Sequence, residues 1–271
     1  MESVETALEV EFTIDLVKGV GKLLLQYFRE GHFAIQRKQD HTVVTHADLK
    51  ADEFIHSKIQ RNFPNDFILS EELSTVFRPG YLRGWIIDPL DGTTNFALGL
   101  HYWGILICRV EKGHPVFAVQ YFPALDELYQ VELGKPPKLN GHGIGVENPS
   151  HNSELTVFAC CSHAHRKYEI GLRYKVRILG SAGYSMASVA RGAARLAFDA
   201  QAKLWDIAGA WLLVPQAKGA ITTLNGIFPF PLEEDVDYAS QTYPTLAAAS
   251  PEFLGEGLDK IKPKPISAKQ E

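Results

Sequence analysis

Residues 85–96 read Trp85-Ile86-Ile87-Asp88-Pro89-Leu90-Asp91-Gly92-Thr93-Thr94-Asn95-Phe96, and the rest of the chain is organised around them. The stretch begins as a buried strand, because Trp85, Ile86 and Ile87 form a continuous apolar run. Pro89 has no backbone N–H and a fixed φ, so the strand is expected to leave its sheet at Asp88. Two carboxylates, Asp88 and Asp91, flank the turn that follows. Gly92 lets the backbone come close to a ligand. Thr93, Thr94 and Asn95 are helix-start residues, and a helix start offers free N–H groups to an anion. Carboxylates that hold hard cations, set beside an anion cradle, suit the hydrolysis of a phosphate ester.

Towards the N-terminus, Phe67-Ile68-Leu69 reads as a short buried strand running straight into Ser70-Glu71-Glu72. Acids at the end of a buried strand are costly unless something compensates them. If the two strands are neighbours, Glu71 and Asp88 aim at one point. Thr45-His46-Ala47-Asp48 precedes a helix over about 47–62, where Asp48 alone reads as a cap or a first-turn acid. Residues 32–46 read as strand pieces around the polar run Gln36–His41. That run is a solvated hairpin tip, or a flap whose Arg37 or Lys38 swings over an anionic site. Residues 4–30 show the apolar spacing of an amphipathic helix with a structural role.

Towards the C-terminus, strands are expected over 102–110 and 115–121, with 126–129 continuing a meander. Gly, Pro and Asn crowd residues 133–152, which marks a boundary between subdomains of about 1–145 and 146–256 within one domain. A strand over 155–161 leads to the polar loop Ser162–Arg166. His163 and His165 lack the companion soft ligands a metal site would need. A strand over 176–179 is followed by Gly180-Ser181-Ala182-Gly183 and a helix to Arg191. A further strand leads into Asp199. Leu204-Trp205-Asp206 opens what reads as one long apolar helix to Lys218, with Asp206 a fifth candidate carboxylate. The tail, 257–271, with Lys262-Pro263-Lys264-Pro265, is expected to be disordered.

At 271 residues, with 45% hydrophobic and 22% charged side chains, the chain can bury a large core. A net charge of −5 argues against nucleic acid as a bulk electrostatic partner. No apolar run approaches the roughly 20 residues that span a bilayer, and no signal peptide is visible. Cys108, Cys160 and Cys161 form neither a disulfide framework nor a CxxC pair. A cytoplasmic, reducing location is the expectation.

Glu71, Asp88, Asp91, Asp206 and Asp48 each fall at the edge of an apolar element. Converging without cations they would repel; with Mg²⁺ they complete hard-oxygen shells and activate water. These blocks resemble the inositol monophosphatase family of Mg²⁺-dependent, Li⁺-sensitive phosphatases. Trp85–Phe96 matches its first signature and Leu204-Trp205-Asp206-Ile207-Ala208-Gly209-Ala210 its second. Val44–Lys50 resembles its Val-Thr-x-x-Asp segment and Leu69–Glu72 its Gly-Glu-Glu segment. The resemblance implies an α+β fold, layered as an αβαβα sandwich, and commonly a homodimer. It implies two to three Mg²⁺ ions held by Glu71, Asp88, the Leu90 carbonyl, Asp91 and Asp206. Asp48 and Thr93 would orient and deprotonate the attacking water, Glu71 would assist through a further metal, and Gly92 and Thr93 N–H groups would hold phosphate. Gly180, Ser181, Ala182 and Asp199 would line the substrate, a small phosphorylated polyol. Arg37 or Lys38 would sit on the flap. The sequence departs from the family where Asp199 replaces the usual Glu. Lys203, just before the second signature, could favour a second anionic group.

Overall fold

The computed structural model describes residues 2–31, 35–37, 43–78, 80–146 and 157–265. The first half opens with helix α1 (Glu2–Glu30), hairpin strands β1 (Ile35–Arg37) and β2 (Val43–Thr45), and helix α2 (His46–Asn62). Strands β3 (Phe67–Ser70) and β4 (Arg83–Asp91) precede the short helix α3 (Thr93–Ala97). A meander follows: β5 (Gly104–Glu111), β6 (His114–Phe122), β7 (Glu127–Glu132), and the small β8 (Lys138–Leu139) and β9 (His142–Gly143). The second half carries β10 (Val157–Cys160), α4 (Ala164–Lys167), β11 (Tyr168–Ile170), β12 (Lys175–Arg177) and α5 (Ala182–Ala190). It ends with β13 (Leu196–Ala202), α6 (Leu204–Ile207), α7 (Ala210–Gln216), β14 (Ala220–Thr223), β15 (Tyr243–Ala248), α8 (Pro251–Lys260) and β16 (Ile261–Pro263).

The strands form a seven-stranded sheet, ordered β3-β4-β5-β6-β7-β8-β9, and a five-stranded sheet, ordered β12-β10-β13-β15-β14. Side-chain alternation along each strand builds the layers. Trp85, Ile87, Ile105, Ile107, Phe117 and Val119 face Val17, Val20, Leu24, Ile55 and Ile59 of α1 and α2. Their neighbours Ile86, Leu106, Cys108 and Ala118 face the opposite way, onto Met186, Leu212 and Leu213 of α5 and α7. Ala159, Ala197 and Ala247 of the second sheet close that same core. Phe158, Phe198 and Leu246 point outward instead, onto Ala164, Leu254 and Ile261. The order helix, sheet, helix, sheet, helix is the expected αβαβα sandwich.

Four expectations change. The strand does not end at Asp88: β4 continues to Asp91, but its partners step from Leu106 at Asp88 to Gly104 at Asp91. One extra residue is thus taken up on β4, a β-bulge that accommodates Pro89 without a broken ladder. The single helix over 206–218 is two, α6 and α7, parted at Ala208 and Gly209. Residues 257–265 are ordered rather than part of a disordered tail. Ile261 buries itself in the outer core, and β16 pairs antiparallel with β11; residues 266–271 lie outside the described residues. The apolar reading of 102–110 also missed Arg109, fully buried and bonded to Glu9 at 3.2 Å, Asp66 at 3.0 Å and the Gly84 carbonyl at 3.1 Å. Its guanidinium lies 4.8 Å from the Trp85 ring, fixing α1 against the sheet.

One buried group carries a stability prediction. Gln120 is 2% exposed, and among the described residues neither its amide oxygen nor its nitrogen has a hydrogen-bond partner. An unmade buried bond costs about 1–3 kcal/mol. Gln120→Met, similar in length and without the polar atoms, is expected to stabilise the fold by about 1 kcal/mol. Urea unfolding measures this, and a lowered midpoint would contradict it.

Candidate active site

The site lies where α2, the β4 bulge, α3 and the starts of α5 and α6 meet. Thr45 ends β2 and caps α2. Its hydroxyl accepts from Ala47 N, while its own N–H donates to Asp48 Oδ2 at 2.8 Å, completing a capping box. The Thr45 hydroxyl also lies 2.5 Å from Asp48 Oδ2. The cap reading of Asp48 therefore holds, but it occupies only one carboxylate oxygen. The other, Oδ1, accepts from the Thr93 hydroxyl at 2.8 Å. The same hydroxyl is 3.0 Å from the Leu90 carbonyl, so one proton lies between two acceptors.

Asp91 ties the two halves together. It accepts from the Ser181 hydroxyl, from Gly183 N at 2.9 Å and from Ala182 N at 3.1 Å. Ser181 in turn caps α5 by accepting from Tyr184 N at 3.0 Å. Asn95, read from the sequence only as a helix-start residue, makes a second tie. Its amide donates to the Tyr102 carbonyl at 2.6 Å and the Leu179 carbonyl at 2.7 Å. The sequence signal for this was present, since Asn95 is inside the signature, but nothing local says what it reaches.

Gly92 has φ +86°, in the left-handed region, and a Cβ there would stand 2.7 Å from the Tyr102 carbonyl. The close approach that requires glycine is therefore to the chain's own backbone. Among the described residues no side chain caps the first turn of α3. Ser181 and Ala182 donate to Asp91, and Gly180 lies against Asn95 and Gly92. Asp199 lies at a second bulge: its partner on β15 is Thr245, whereas Ala202 pairs with Tyr243. Cys161 Sγ accepts from Ala200 N at 3.3 Å beside it. Among the flap residues, the backbone of Arg37 pairs with Val43 in the hairpin; Lys38 lies outside the described residues. Lys203 is tied at both ends. Its ammonium donates to the Ala239 carbonyl at 2.5 Å, while its backbone N–H donates to Asp206 Oδ2 at 2.8 Å.

The electrostatics identify the acids as one group. Burial, then repulsion from Glu71, Asp91 and Asp206, pushes Asp88 well above the usual carboxylate range. Burial, then Asp91 and Glu71, does the same to Asp206. Burial raises Asp91 to about 6 despite its three donors, and raises Asp48 to about 6. Asp199 is raised by burial too. Among the described residues no three His, Cys, Asp or Glu side chains close into a ready-made metal cage. Asp48, Asp88, Asp91 and Asp206 each place at least one oxygen on a protein donor instead. The charges acting on Asp88 all have one sign, and its neighbours are hard oxygens. That donor set fits divalent cations of the Mg²⁺ type.

A pH effect follows from Asp48. Its folded pKa lies above its unfolded value of 3.8, so the folded state holds the proton more tightly. Stability in metal-free protein therefore falls as pH rises from about 4 through about 6. A shift of about two units corresponds to about 3 kcal/mol. Relative to Asp48→Asn, wild-type protein in EDTA is expected to lose thermal stability across that window. A constant gap between the two melting curves would contradict the assignment.

The model of the inositol monophosphatase family matches residues 7–254. A histidinol-phosphatase of Chlorobaculum parvum is 32% identical over 229 residues, covering 80% of this chain and 86% of that relative. A solved IMPase of Thermotoga maritima superposes with a TM-score of 0.77 at 28% identity, covering 93% of this chain and 95% of that one. An IMPase/NADP phosphatase solved with Mg²⁺ and phosphate shares the fold, with a TM-score of 0.78 at 19% identity over 98% of this chain and 99% of that one. The chain belongs to the inositol monophosphatase family. It is a phosphatase of that family, a class acting on small phosphorylated substrates.

Proposed function

We propose that this protein is a Mg²⁺-dependent phosphomonoesterase that hydrolyses myo-inositol monophosphate or a similar small polyol phosphate. The observation that carries the reading is the Thr93–Asp48 hydrogen bond of 2.8 Å, set against a group of mutually repelling acids. Glu71, Asp88, the Leu90 carbonyl, Asp91 and Asp206 would hold two or three cations. When bound, these ions lower the pKa of water and neutralise phosphoryl charge.

The chain's own residues do the rest. The Thr93 hydroxyl donates to Asp48 Oδ1 and keeps lone pairs free to accept from a water. A proton leaving that water passes to Thr93 as the Thr93 proton passes to Asp48. The α3 N–H groups of Gly92 and Thr93 hold phosphate oxygens, and Asp199 receives a substrate hydroxyl. Positioning and charge stabilisation supply the acceleration, with no phosphoenzyme.

Histidinol phosphate is the second reading, because Asp199 presents a carboxylate that suits an amine as well as a hydroxyl, and the Chlorobaculum relative bears that name. Released phosphate measured with Mg²⁺ across inositol 1-phosphate, histidinol phosphate, fructose 1,6-bisphosphate and 3′-phosphoadenosine nucleotides tests this. Histidinol phosphate far ahead of inositol phosphate would overturn the first reading. The family resemblance also supports Li⁺ inhibition and a homodimer, which the same assay with LiCl and light scattering would check.

A further inference from the structure

The connection between β14 and β15 is long, and its second part crosses to the other half of the molecule. Leu232 N donates to the Gly113 carbonyl at 2.9 Å, at the β5–β6 turn. Beyond it, Asp235 N donates to the Phe77 carbonyl at 2.8 Å and Tyr238 N to the Thr75 carbonyl at 2.9 Å. Phe77 N returns a bond to the Val236 carbonyl at 3.3 Å, and Val76 bridges Asp237. Residues 235–238 thus add a short ladder to 75–77.

Segment 75–77 is continuous with the turn that carries Glu71. That turn is closed by a two-way backbone exchange between Ser70 and Ser74, at 2.7 and 3.3 Å. At its far end the crossing segment presents the Ala239 carbonyl to the Lys203 ammonium at 2.5 Å. The Lys203 N–H holds Asp206 Oδ2 at 2.8 Å. A run of five residues, 235–239, therefore reaches both the turn bearing Glu71 and the turn bearing Asp206, which belong to different halves of the chain.

We propose that residues 235–239 are a brace that sets the spacing of Glu71 and Asp206, with Lys203 as its positioning residue. The inference rests on the reading of those two acids as cation ligands. Lys203 immobilises the first turn of α6 by holding the brace with one end and Asp206 with the other. Groups that orient metal ligands in this way typically affect metal affinity by tenfold or more.

The test uses the full-length protein and Mg²⁺ or Mn²⁺ titrated by calorimetry. Lys203→Met, which keeps the aliphatic stem, is expected to weaken divalent binding by about tenfold. Lys203→Arg should recover most of the loss. In metal-free Lys203→Met, amides of residues 71–77 should exchange hydrogen faster than in wild type. Unchanged metal affinity together with unchanged exchange would overturn the brace. A raised KM at saturating metal with wild-type metal affinity would overturn it too, and make Lys203 a substrate contact. Asp206→Asn separates the underlying assumption. If that variant binds metal like wild type, the ligand reading fails; if it does not while Lys203→Met does, only the brace fails.

Discussion

Asp91→Asn is expected to reduce turnover by about a hundredfold or more while leaving the fold in place. The carboxylate has two tasks. It accepts from the Ser181 hydroxyl and from the N–H groups of Ala182 and Gly183, so it docks the second half on the first. It also belongs to the repelling group that includes Asp88 and Asp206. An asparagine oxygen can keep the Ser181 and Gly183 donors, which share Oδ2, while its NH2 would face the Ala182 N–H that now donates to Oδ1. Removing a charge that burial disfavours offsets that one lost bond. Melting temperature should therefore move little. Cation affinity should fall, because an amide contributes a weaker, uncharged oxygen. The pair of measurements is Mg²⁺ titration and phosphate release at saturating Mg²⁺. Full activity in Asp91→Asn would remove Asp91 from the cation site and return it to a purely structural role.

The second large effect concerns proton transfer. Asp48→Asn and Thr93→Val should each lower turnover by about 10²- to 10⁴-fold, the usual worth of positioned acid–base groups. Asp48→Asn keeps the Thr45 cap, since one amide oxygen can accept from Thr45 N. Thr93→Val keeps the shape and loses the hydroxyl that reaches Asp48 at 2.8 Å. If the two form a single relay, the double variant should be no worse than the weaker single one. Additive losses would show that Asp48 and Thr93 act independently, and would sink the relay.

Much of this was legible in the sequence, for reasons tied to individual residues. The alternation Trp85, Ile86, Ile87 supplied both faces of a buried strand, and β4 is indeed packed on both sides. Glu71 and Asp88 were expected to approach one another if their strands were neighbours, and β3 pairs parallel with β4 with Ser70 opposite Ile87. Other features depend on contacts distant in sequence. Pro89 argues locally for leaving the sheet, yet the long pairing of β4 with β5 absorbs it as a bulge. Residues 257–265 look like a solvated Lys/Pro tail, but β11 and the outer core hold them. The tie from Lys203 to the Ala239 carbonyl could not be read locally, because the two residues lie 36 apart. Arg109 looks like an intrusion in an apolar strand until Glu9 and Asp66 are brought to it.

The two bulges, at Asp88–Asp91 and Asp199–Ala202, have a consequence for how this chain can change. Residues three apart on a regular strand point to opposite sides; the extra residue on β4 restores a common side for Asp88 and Asp91. The acids are thereby phased by the sheet itself and not by a loop. Deleting Leu90 would put the strand back in step with both carboxylates still on one side, but would remove the residue whose carbonyl accepts from Thr93. Length changes should instead be tolerated in connections such as 225–231. The spacing of the acids would then be inherited unchanged.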